Sequence, residues 1–221
     1  ATGFLFTEGI ITTANDINYA EQALFACAEN RENTIDVILK QGVEPNLNKA
    51  DRNFYTTSSC GVCGKSSINA IRTVSAYRNN EEEDIRVTAS VLHHLPTILS
   101  THQEIFSRTG GLHASALFTV DGELLLVRED VGRHNALDKL IGAALKEACL
   151  PLNNHILLLS GRASFELIQK AAMAGICMIA AVGAPSTLAV QLAQEFHITL
   201  IGFLRNQRFN IYTAPQRVII A

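Results

Sequence analysis

The run Ile176-Cys177-Met178-Ile179-Ala180-Ala181-Val182 is apolar throughout, as a strand buried on both faces of a parallel sheet should be. Outward from it the second half of the chain alternates. A strand is expected at His155 to Leu159, a helix at Ser164 to Ala174, a helix at Ser186 to Phe196 and a strand at Ile198 to Phe203. Strands alternating with helices of about ten residues imply right-handed crossovers in a parallel sheet covered by helices. Upstream, Leu137, Leu140, Ile141, Ala144 and Leu145 recur at helical spacing and define one buried face. His113 to Val120 and Glu123 to Arg128 read as β-strands joined by Asp121-Gly122, a two-residue hairpin signal. Between Val87 and Ser107 the spacing of Val91, Leu95, Ile98, Leu99 and Phe106 predicts a helix, broken near Pro96.

The first 55 residues have a different texture. Short apolar runs at Gln22 to Ala28 and Thr34 to Lys40 read as strands. Three regions are therefore expected: a β-rich region over residues 1–55, a loop and linker over 56–86, and an α/β domain over 87–221. The charged stretch Arg78 to Arg86 has the composition of a solvated turn.

Composition narrows the function. The chain has 221 residues, 48% apolar and 18% charged, with a net charge of −3, so no basic surface points to a nucleic acid polymer. No stretch has the length of a transmembrane helix and no secretion signal is evident. Five cysteines without framework spacing favour a reducing compartment, so a cytoplasmic protein is expected. The opening Ala1-Thr2-Gly3-Phe4 includes no initiator Met.

Two cysteines lie together in Cys60-Gly61-Val62-Cys63, within a polar Ser/Thr/Gly segment. Structural zinc needs four ligands, and the sequence holds neither a second Cys-x-x-Cys nor a paired-histidine motif to complete the set. A zinc deaminase needs His-x-Glu before Pro-Cys-x-x-Cys; here His113-Ala114-Ser115 has Ser in place of the carboxylate and follows the cysteines. A phosphate-binding Walker loop lacks its first glycine, because Ser59 stands there. Thiol chemistry remains, aided by Lys65, since a nearby cation favours the thiolate. Cys27, Cys149 and Cys177 read as packing residues.

Strand-to-helix turns supply the other candidates. Ser160-Gly161-Arg162-Ala163-Ser164, Gly183-Ala184-Pro185-Ser186 and Gly132-Arg133-His134-Asn135 place small, hydroxyl or cationic residues where helices begin. Such positions offer unpaired N–H groups to anions, although a Ser there more commonly caps its own helix. Thr109-Gly110-Gly111-Leu112-His113 adds a histidine behind paired glycines, which allow close backbone approach or positive φ.

Taken together, Thr57 to Gly64, Thr109 to Ser115, Arg128 to Lys139, Ser160 to Glu166 and Gly202-Phe203-Leu204-Arg205 closely resemble the formate dehydrogenase accessory sulfurtransferases, the FdhD family. Gly3 to Ile10 resembles a motif near the end of that family's N-terminal segment, so a truncated N-terminus is expected. The resemblance implies a cytidine-deaminase-like three-layer α/β/α core with a smaller β-rich N-terminal region. It implies a sulfurtransferase that takes persulfide sulfur from a cysteine desulfurase and delivers it to the molybdenum bis(molybdopterin guanine dinucleotide) cofactor needed by formate dehydrogenase. Cys60 matches the persulfide-bearing cysteine and Cys63 its partner. Phe203, Leu204, Arg205, Asn206, Gln207 and Arg208 match the cofactor-binding stretch, where guanidinium groups suit pyrophosphate oxygens. No resident metal site is implied, and a homodimer is. A non-catalytic chaperone for the same cofactor and a thiol-disulfide oxidoreductase are the competing classes.

Overall fold

The computed structural model describes residues 1–23, 34–46, 77, 85–205 and 207–220. Cys60, Cys63, Asn206, Cys27 and most of the expected linker lie outside them.

The sheet forms where the apolar runs predict it. Strands β4 (His113–Thr119), β5 (Leu124–Asp130), β6 (His155–Leu159), β7 (Met178–Ala181), β8 (Thr199–Arg205) and β9 (Arg208–Ile211) pair in the order β5-β4-β6-β7-β8-β9. Only β6, β7 and β8 are parallel; β4 runs antiparallel to both β5 and β6, and β9 antiparallel to β8. The expected parallel sheet is thus a mixed one with a parallel centre. Its antiparallel margins come from hairpins, which need only a few connecting residues. The β4–β5 loop is longer than expected: Thr119 N–H donates to Glu123 O, and Val120, Asp121 and Gly122 form the turn. Gly122 sits at φ +87°, the left-handed residue of a three-residue hairpin.

Helices cover both faces. Helix α4 (Arg133–Lys146), α5 (Phe165–Met173) and α6 (Thr187–Glu195) pack on the face carrying Leu117, Leu157, Leu159, Ile179 and Leu200. The opposite face, with Ala116, Phe118, Ile156, Leu158 and Met178, receives Leu92, Leu95 and Leu99 of helix α2 (Ala89–His102). Helix α2 follows the short strand β3 (Val87–Thr88) and does not break at Pro96. A proline inside a helix removes one backbone bond, and three fully buried leucines on one face hold this helix across that loss. The break comes at Gln103, before the short helix α3 (Glu104–Thr109), which ends on Gly110 at φ +66°.

The amino-terminal residues hold a helix that the sequence reading missed. Helix α1 (Thr2–Thr7) has the composition TGFLFT, with Gly and β-branched residues of low helix propensity. Tertiary packing forms it. Gly3 crosses α4 so closely that a Cβ there would lie 1.8 Å from Asp138 O, and one on Gly142 would lie 2.8 Å from Gly3 N. Phe6 and Ile11 enter the core beneath α4 and α5. The strand expected at Thr34 to Lys40 is β2 (Ile35–Leu39), paired antiparallel with β1 (Ile17–Gln22). The other expected run starts where β1 ends, and residues 24–28 are outside the described set. Cys177 is buried as expected, but Cys149 is exposed beyond the end of α4 rather than packed. Among the described residues no helix is long and apolar enough to cross a membrane.

Candidate functional site

Parallel strands β6, β7 and β8 all end at one edge of the sheet, and the loops that follow them stack there. Gly183 N–H donates to Gly161 O at 3.0 Å, and Phe203 N–H donates to Gly183 O at 3.1 Å. Side chains are excluded from this ladder. A Cβ on Gly183 would meet Arg162 backbone N at 3.0 Å, and one on Gly202 would meet Pro185 Cδ at 2.8 Å. The glycines thus let three loops form a floor of main chain, as expected at the ligand-binding edge of an α/β sheet. Strand β4 enters at the same edge, so His113 lies against Gly161, where an added Cβ would be 3.1 Å from Nδ1.

The expected cofactor stretch forms a hairpin at the end of this floor. Arg205 pairs with Arg208 across the β8–β9 turn, and Gly202 pairs with Asn210. Two residues, Phe203 and Leu204, thus face Phe209 alone, which is a β-bulge. Phe203 takes φ +56°, a conformation that non-glycine residues adopt at a cost and that clusters at functional sites. Leu204 is fully buried in the core, whereas Phe203, Arg205, Gln207 and Arg208 are exposed. A cavity of about 190 Å³ opens here, lined by Phe203, Arg205, Arg208, Phe209 and Asn210. Neither arginine makes an ion pair with the described residues. Two guanidinium groups beside two aromatic rings suit a phosphate ester joined to a flat heterocycle.

The helix starts divide into capped and uncapped. Ser186 Oγ accepts from Ala189 N at 3.2 Å, so there the common capping role holds. Ser164 stands at the same position of α5, yet its hydroxyl meets His134 Nε2 at 3.1 Å instead of capping. Glu166 Oε2 lies 3.8 Å from that same nitrogen. Because Ser164 and Glu166 share Nε2, the trio is not a Ser–His–acid relay, which uses opposite ring nitrogens. The His134 imidazole draws the Glu166 carboxyl down to about 2; partial burial opposes the shift, and its own N–H and the Ser164 hydroxyl add to it. At the start of α4, Asp130 accepts from Gly132 N and Asn135 Nδ2 and pairs with Lys139 at 2.5 Å. Burial works against its ionisation, but these partners prevail and hold its carboxyl below the ordinary range.

The Glu166 shift predicts a pH dependence. A carboxyl lowered in the folded state stabilises above its unfolded value, near 4.5, and loses that contribution as pH falls toward 2. Urea denaturation from pH 6 to pH 2 is expected to show Glu166→Gln less stable at pH 6 and less sensitive to acid through that window. An identical profile would show that the His134 contact contributes nothing.

The sequence reading singled out His113, His134, Ser160–Ser164, Gly183–Ser186 and Phe203–Arg208, and the structure brings all of these that it describes to one edge. It named Ser115 only as a departure from the deaminase motif and as the end of the Thr109–Ser115 stretch, and it gave Glu166 no role. Among the described residues, no group of three or more His, Cys, Asp or Glu could hold a metal ion.

Residues 1–219 match a family model described as the FdhD/NarQ family. A Streptomyces coelicolor protein named sulfur carrier protein FdhD is 51% identical over all of this chain and 79% of its own length. Its namesake in Mycolicibacterium paratuberculosis is 52% identical over 99% of this chain and 80% of that relative, and that of Sulfurisphaera tokodaii 42% identical over 98% and 78%. A crystal structure from Desulfotalea psychrophila, whose description proposes a formate dehydrogenase accessory protein, superposes with a TM-score of 0.70 at 25% identity. That match covers 99% of this chain and 77% of the other.

Proposed function

The chain belongs to the FdhD/NarQ family, and from that premise we propose that it is a cytoplasmic sulfurtransferase serving formate dehydrogenase. Cys60 accepts sulfane sulfur from a cysteine desulfurase, with Cys63 as its partner. The sulfur is then passed to the molybdenum bis(molybdopterin guanine dinucleotide) cofactor, which is cargo rather than a resident group. The protein works as a homodimer on a cytidine-deaminase-like core, a reading in keeping with helices on both faces of the sheet.

One observation carries the cofactor half of this reading. Arg205 and Arg208 make no ion pair among the described residues and stand beside Phe203 and Phe209 around one cavity at the sheet edge. A pyrophosphate takes guanidinium groups in bidentate pairs, and a purine or pterin ring stacks on an aromatic face. The sulfur half rests on the Cys60-Gly61-Val62-Cys63 sequence and on the names of the relatives.

Guanosine diphosphate reproduces one end of the cargo and provides the test. Each charge-assisted contact is worth roughly 1.5–3 kcal/mol, so Arg205→Ala with Arg208→Ala should weaken GDP binding at the hairpin roughly a hundredfold or more by calorimetry. Unchanged affinity would place the nucleotide elsewhere and remove the support for this half. Both arginines are on the surface, so the variant is expected to fold.

A further inference from the structure

Phe209 belongs to two environments at once. It lines the cavity at the β8–β9 hairpin, and it packs, partly buried, against the core cluster that joins α2 to the sheet. Strand β9 has four residues and lies at the sheet margin. Phe209 stands opposite the Phe203–Leu204 bulge, so regular ladder pairing does not fix where its ring points. Side-chain packing must do so. The ring of His93 on α2 supplies a partner, with centroids 5.3 Å apart and planes inclined at 51°, a separation at which tilted rings attract.

The neighbours of both rings hold this pair in place. Leu92, beside His93, and Leu204, within the bulge, are fully buried in the same cluster, which ties α2 to the hairpin. The three histidines of α2 differ accordingly. His94 and His102 turn a ring nitrogen back to their own helix, at 2.7 Å from Ser90 O and 2.9 Å from Ile98 O. His93 is turned to Phe209 instead. Phe203, the other ring of the cavity, is exposed and has no ring contact among the described residues. Of the two, Phe209 is the one whose plane is set before a ligand arrives.

We infer that His93 is a positioning residue: through Phe209 it fixes a stacking surface that selects a fused two-ring heterocycle over a single ring at the end of a phosphate-bearing ligand. The inference rests on the cofactor reading above and adds to it a residue on another helix and a selectivity. Stacking grows with the ring area covered, so a purine or pterin gains more from a fixed aromatic face than a pyrimidine does. The guanidinium groups of Arg205 and Arg208 make no such distinction, because they meet the phosphates.

Calorimetric titration of the full chain with GDP and with UDP tests this, since the two share ribose and phosphates and differ in the base. The wild type should bind GDP more tightly than UDP. His93→Gln keeps a polar side chain and removes the ring. It should weaken GDP roughly three- to tenfold and change UDP little, so that the ratio of the two affinities falls. His93→Phe keeps a ring at that place and should restore the ratio. Several results would overturn the inference: a wild type without preference for GDP, a ratio unchanged in His93→Gln, or a His93→Phe protein no more selective than His93→Gln. Equal weakening of both nucleotides, with or without a lowered melting temperature, also overturns it, because a displaced hairpin would act on the shared phosphates. Failure of the cofactor reading looks different: Arg205→Ala with Arg208→Ala then binds GDP and UDP normally.

Discussion

Replacing Cys60 with alanine is expected to leave formate dehydrogenase at background activity when the variant is the only copy of this protein in the cell. A persulfide forms on a thiolate, and alanine offers no atom to hold the sulfur. The described cysteines cannot stand in. Cys177 is fully buried on its strand, with its thiol donating to Asn153 O at 2.7 Å. Cys149 is exposed but follows the carboxyl end of α4. The amino end of α4 faces the sheet edge, so fourteen residues at 1.5 Å each put Cys149 roughly 20 Å from the cofactor side. Neither Cys149 nor Cys177 should therefore restore activity, and the variant should still fold and still bind GDP. If Cys60→Ala matured the dehydrogenase, the protein would be a cofactor chaperone without sulfur chemistry.

Lys170→Ala is expected to be the most damaging single change to stability. The Lys170 ammonium is enclosed between α1, α4 and α5, 3.0 Å from Glu8 Oε1, 3.0 Å from Asp138 Oδ1 and 3.0 Å from Thr7 Oγ1. The Phe4 ring lies 5.2 Å away as a cation–π partner. Thr7 Oγ1 also donates to Asp138 Oδ1 at 2.8 Å. Truncating the lysine leaves the Asp138 carboxylate buried with a single hydroxyl donor, and removing one member of a buried pair costs about 3–5 kcal/mol. That is a large part of the roughly 5–15 kcal/mol that holds a domain together. Helix α1 should undock first, because its residues contribute little helix propensity and its hold on the core passes through this cluster. Chemical denaturation would read the loss. Lys170→Met combined with Asp138→Leu should recover part of it, since Asp138, the more buried of the two carboxylates, is then no longer left charged and Glu8 alone keeps its charge. Equal instability of the single and double variants would show that packing, not the ion cluster, secures α1.

The carboxyl-terminal half of the fold was legible because its signals are local. The fully apolar strands and their ten-residue helices needed no distant information, and Ser164 and Ser186 marked helix starts correctly. Helix α1 was not legible. Its six residues favour helix only because Gly3 and Gly142 let two backbones meet, and that contact joins positions far apart in sequence. Strand β9 was missed for a similar reason: Arg208–Ile211 is four residues at a sheet edge, shorter than periodicity can register. Pro96 misled because a local rule ignored the three leucines that anchor α2.

For the site, sequence located the residues but not their partners. Ser164 looked like the cap that Ser186 is, and only the fold shows its hydroxyl turned to His134, thirty positions away. Leu204 sat inside a matching motif, yet its side chain belongs to the core, leaving only its backbone at the edge.

The most direct test of the central claim is mass spectrometry of the purified chain after incubation with cysteine and an active cysteine desulfurase. Sulfur transfer predicts a peptide containing Cys60 and Cys63 heavier by one sulfur atom, a gain reversed by a thiol reductant and absent from Cys60→Ala. An unmodified peptide, with the desulfurase shown to be turning over, would contradict it.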